Sequence, residues 1–73
     1  MELRFTELAE AELREAVHYY AALNPTLAAL FKSEAKAAAR RILAHPQAWA
    51  IERDEIRRFL FSRFPYKLLY AIE

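Results

Sequence analysis

The residues of this chain best suited to chemistry fall in one stretch, IRRFLFSRFPYKLLY, which carries four cations (Arg57, Arg58, Arg63 and Lys67) and two tyrosines (Tyr66 and Tyr70). Clustered cations can stabilise charge developing on a phosphate. Metal-free cleavage of an RNA strand needs that, together with a base that takes the 2′-hydroxyl proton. Arg57, Arg58, Arg63 and Tyr66 are the candidates for such work. Arg58, Arg63, Tyr66, Lys67 and Tyr70 are also candidates for a surface that binds a protein partner, and a plain solvated sheet face is the third reading. Strand parity weighs against catalysis, because neighbouring side chains in a strand point to opposite faces. Arg57 and Arg58 therefore cannot line one pocket. Arg57 and Arg63 share parity with Phe59 and Phe61, so burial of those phenylalanines would set both arginines at the rims of the core, with Arg58 on the other face.

Little else in the chain offers chemistry. Cysteine and glycine are both absent, which removes disulfides, thiolate metal sites, cysteine nucleophiles and Gly-rich phosphate loops. His18 and His45 have no metal-ligand spacing to each other or to a carboxylate, so neither a metal nor a cofactor is expected. Lys32, Lys36, Arg40 and Arg41 form a basic stripe on a helix and read as a solvated face whose stems cover apolar surface. Trp49 is either a binding anchor or, more commonly, a residue buried beneath its own connection.

The elements that must position these groups fit one small domain of 73 residues, near the lower limit for a single unaided core. The net charge of +1 conceals an asymmetry: residues 1–31 hold five acids against two bases, and residues 32–73 hold nine bases against five acids. A basic half suits a nucleic acid or an acidic protein. No apolar run approaches the ~20 residues that cross a bilayer, so no membrane partner is expected and a cytoplasmic location is.

ELRFT alternates Leu3 and Phe5 with Glu2 and Arg4, the period of a half-buried strand. Thr6 follows as an N-cap, with Glu7 and Glu10 in the first turn. Ala9, Leu13, Ala16, Val17, Tyr20 and Leu23 make one face of a helix over about residues 7–23. Adjacent Tyr19 and Tyr20 diverge by about 100°, which puts Tyr20 in the core and Tyr19 beside the loop. Asn24 then caps a second helix that opens on Pro25, carries Leu27, Phe31, Ala35, Ala38 and Ile42 on one side, and ends near His45 before Pro46. QAWAIERDE reads as a connection with Trp49 and Ile51 tucked against the core. Period-2 alternation from Ile56 to Ile72, interrupted at Phe64-Pro65, predicts strand, turn, strand. The order is β-α-α-β-β, an α+β fold with a helical hairpin on a small, mostly antiparallel sheet.

RFT, AVHYY, LAALFKSEAKAAARRILAHP and above all IRRFLFSRFPYKLLYAI resemble the RelE/ParE superfamily of type II toxin–antitoxin toxins, also called plasmid stabilisation proteins, across residues 1–73. The resemblance implies a bacterial or archaeal toxin neutralised by a cognate antitoxin. ParE-type members inhibit DNA gyrase and RelE-type members cleave mRNA on the ribosome; the YY and RFPY signatures look more like the ParE type, which implies a binding protein rather than an enzyme. The RelE-type endonuclease is the alternative. Family members continue past the strand matching KLLYAIE, so the chain is expected to be a C-terminally shortened relative, and the catalytic arginine and tyrosine of that later segment have no counterpart here. A non-toxic relative that only binds antitoxin is the third reading. Open sheet edges are expected to take a strand from an antitoxin or from a second copy of the chain, a possible homo-oligomer.

Overall fold

The computed structural model describes residues 3–72. Glu2 and Glu73, which the sequence puts on the polar side of the first strand and at the end of the last, lie outside the described residues, as does the Ile72 side chain.

A short strand β1 (Leu3–Arg4) leads into helix α1 (Glu7–Leu23), helix α2 (Pro25–Ala44) and strands β2 (Ile51–Arg53), β3 (Ile56–Leu60) and β4 (Lys67–Ile72). Local chemistry sets the helix ends. Thr6 Oγ1 accepts from Ala9 N at 3.0 Å, with Glu7 and Glu10 in the first turn. Asn24 serves both helices: its N–H donates to Tyr20 O at 2.8 Å, closing α1, and its Oδ1 accepts from Thr26 N at 2.8 Å, opening α2. Because one side chain caps the tight corner, Asn24→Ala is expected to cost about 1 kcal/mol. For a domain this small that lowers the melting temperature by roughly 4–8 °C, measurable by circular dichroism.

The strands form one antiparallel sheet in the order β1-β4-β3-β2. Phe59 lies opposite Leu68 and Arg57 opposite Tyr70, while Arg58 lies opposite Leu69 and Leu60 opposite Lys67. This register sends Phe59, Leu68 and Tyr70 into a core shared with Phe31, Ala38, Ile42 and Phe61. Both helices therefore cover one face. Phe31 sits at the centre, its ring 5.1–5.3 Å from those of Tyr20, Phe61, Phe64 and Tyr66.

Three expectations need correcting. The segment read as a plain connection contains β2, so the described residues form four strands rather than three. A three-residue strand whose pairing with β3 slips between Ile51 and Arg53 leaves too short a period to read. The turn that follows it uses Asp54 at φ 52°, a left-handed conformation that Asp tolerates better than most non-glycine residues. Ile51 is 53% exposed rather than tucked inward, because that slip lies at its position. Leu23, the last residue of α1, is also exposed. Trp49 does pack, its ring 4.9 Å from that of Phe59.

Candidate binding surface

The expected parity holds for Arg57 and Arg58 but not for Arg63, because β3 ends at Leu60 and Arg63 lies in no strand; the four cations fall to separate tasks. Arg57 reaches to the helix side and donates from Nη1 to Trp49 O at 2.7 Å and to Gln47 O at 3.5 Å. Its guanidinium is thus an anchor for the α2–β2 connection. Tyr70 completes that anchorage from β4: its hydroxyl donates to Pro46 O at 3.0 Å and its side chain is 0% exposed. Expected among the partner-binding residues, Tyr70 has no surface to offer, because its parity places it under α2. Burial pushes its phenol above the ordinary value of 10, with Arg57 pulling the other way.

Arg58 and Lys67 project from the opposite, helix-free face, where both meet one carboxylate. Glu52 Oε2 accepts from Lys67 Nζ at 2.5 Å and Oε1 accepts from Arg58 Nη1 at 3.4 Å. The Lys67 hydrogen bond holds the Glu52 carboxyl below its ordinary 4.5, partial desolvation opposes it, and Arg58 adds to the lowering. A carboxylate with a depressed folded-state pKa adds stability that is present above its unfolded value and is lost as pH falls through the folded value. Titrating wild type and Glu52→Gln in parallel should therefore show their stability difference constant above pH 4.5 and vanishing below it, with a small amplitude because the pair is solvated. Beside this triad Leu60 is 63% exposed, so the helix-free face mixes paired charge with an apolar side chain.

Arg63 and Tyr66 lie on the connection between β3 and β4. Its neck is closed by Phe61 N donating to Tyr66 O at 3.0 Å, and Tyr66 N donates to Phe64 O at 2.8 Å across Pro65. Tyr66 and Phe64 turn their rings inward onto Phe31. Burial raises the Tyr66 phenol above 10 and the Glu12 carboxylate raises it further, which suits packing or hydrogen-bond donation better than service as a base. Arg63 is exposed, and its guanidinium makes no hydrogen bond or ion pair among the described residues.

Two contacts have no clear forewarning in the sequence. Arg41, assigned to the solvated stripe, places its guanidinium carbon 5.7 Å from the centre of the Phe59 ring, a cation–π contact. Glu34 on α2 accepts from the backbone of the β3–β4 connection. No group of three or more His, Cys, Asp or Glu that could hold a metal ion occurs among the described residues. Among the described residues no helix is long and apolar enough to cross a membrane.

A helical hairpin laid on one face of a small four-stranded antiparallel sheet is an α+β arrangement consistent with a fold of the RelE/ParE kind. The profile of the family described as "ParE toxin of type II toxin-antitoxin system, parDE" matches residues 3–73. The chain belongs to that family of toxins. No curated protein and no solved structure matches it significantly.

Proposed function

We propose that this chain is the toxin of a type II module, works in the bacterial cytoplasm by binding DNA gyrase rather than by cutting RNA, and is held inactive by its cognate antitoxin. The observation that carries the binding reading is the division of the cations. Arg57 is committed to backbone carbonyls, Arg58 and Lys67 share Glu52, and Arg63 stands on a separate connection. A phosphodiester in flight needs several uncommitted cations and a base within a few ångströms; the two cations that do converge, Arg58 and Lys67, are neutralised by the carboxylate they share, and Arg57 and Arg63 belong to other parts of the fold. Exposed charge on the helix-free face (Arg58 and Lys67, beside Leu60) and, separately, on the β3–β4 connection (Arg63, with the edge of Tyr66) suits protein recognition, in which exposed charges set orientation and encounter rate. The test is a supercoiling reaction with purified gyrase and increasing amounts of the chain: loss of supercoils supports the reading, and full supercoiling at saturating protein overturns it.

The sheet edges favour a place for the antitoxin. Among the described residues β1 pairs with β4 only at Leu3–Ile72 and Arg4–Ala71, so there Lys67–Tyr70 of β4 is laddered on its β3 side alone. Open backbone donors and acceptors of this kind accept an added strand, from an antitoxin or from a second copy of the chain. Light scattering on the purified chain checks this, since a cooperatively folded monomer that gains no stability from antitoxin would contradict it.

A further inference from the structure

Glu34 sits in the middle of α2, yet its carboxylate is spent on the connection 61–66. One oxygen, Oε1, accepts from Ser62 N at 2.6 Å, from Arg63 N at 3.2 Å and from Ser62 Oγ at 3.3 Å. Two successive backbone N–H groups converging on one anion form a nest, a concavity that favours negative charge. The rest of the connection is held differently. Phe64 and Tyr66 are fixed by their rings against Phe31, and the neck is closed by the Phe61–Tyr66 hydrogen bond. Ser62 and Arg63 themselves are exposed and have no other hydrogen bonds among the described residues, so Glu34 alone ties this half of the connection to the domain.

We propose that Glu34 is a positioning residue: by filling the Ser62–Arg63 nest it fixes the backbone from which Arg63 is presented to a protein partner. The connection is thereby set before binding, and the cost of ordering the backbone at Arg63 is already met in the free protein. The assignment of a partner rests on the gyrase reading above; the assignment of the nest does not. Glu34 stands three residues after Phe31 and four before Ala38, at the flank of the buried face of α2, yet beside Lys32 and Ser33 it would pass for an ordinary solvated helix acid, so its contact with residues 28 and 29 positions away is the new element.

The test compares wild type, Glu34→Ala, Glu34→Gln, Arg63→Ala and the Glu34→Ala/Arg63→Ala double variant. Amide hydrogen exchange read by NMR should accelerate at Ser62 and Arg63 by about tenfold or more in Glu34→Ala while the β3 and β4 amides keep their protection. Glu34→Gln, which retains an acceptor oxygen, should fall between. Affinity for purified gyrase should drop about tenfold in Glu34→Ala, but by less than about twofold when the same change is made in Arg63→Ala, the non-additivity expected of a residue acting through another. Unchanged exchange at both amides overturns the proposal. Faster exchange with unchanged affinity, or an equal loss in both backgrounds, overturns the positioning role. If wild type does not bind gyrase, the functional reading falls, and the exchange at Ser62 and Arg63 decides the nest by itself.

Discussion

Phe31→Ala is expected to leave the chain largely unfolded at 25 °C. The ring is wholly buried and touches four other aromatic rings drawn from α1 and the β3–β4 connection. Truncating such a residue costs about 3–5 kcal/mol, combining lost transfer energy with the cavity left behind. A single core in a domain of fewer than ~80 residues rarely supplies more than about 3–5 kcal/mol in total, so the loss equals the reserve. Far-ultraviolet circular dichroism and urea titration check it; a cooperative transition within about 1 kcal/mol of wild type would show that the cluster is less central than its geometry states.

Arg57→Ala and Arg58→Ala should differ sharply although the residues are neighbours. Arg57 supplies charged donors to two carbonyls of a part-buried connection, and losing hydrogen bonds of that type costs about 1.5–3 kcal/mol. Arg58 is one of two cations on a solvated carboxylate, a contact worth well under 1 kcal/mol in general. Chemical denaturation of both variants should therefore show a large shift for Arg57→Ala and almost none for Arg58→Ala. Any functional loss in Arg58→Ala is then a loss of recognition. Equal shifts would mean that the two faces of the sheet are not energetically distinct.

These contrasts mark where the sequence could be read and where it could not. The caps at Thr6 and Asn24 are legible because each depends on residues two to four positions away, within reach of local rules. The burial of Phe59, Leu68 and Tyr70 follows from period-2 alternation once the helices have one apolar face each, and the same alternation separates Arg57 from Arg58. β2 escapes because three residues with a slipped register carry almost no periodic signal. The roles of Glu34 and Glu52 escape for another reason: each carboxylate finds its donors 6 to 29 positions away, so its partners exist only after the hairpin and sheet have assembled. Tyr70 shows the converse, a side chain whose type suggests recognition and whose parity assigns it to the core.

The central claim is that this toxin-family domain works by binding rather than by chemistry, and one preparation assayed two ways tests it most directly. The purified chain is added to a gyrase supercoiling reaction and, in parallel, to a translating extract in which mRNA integrity is followed. The account predicts loss of supercoiling with intact mRNA. Cleaved mRNA with unaffected supercoiling would contradict it.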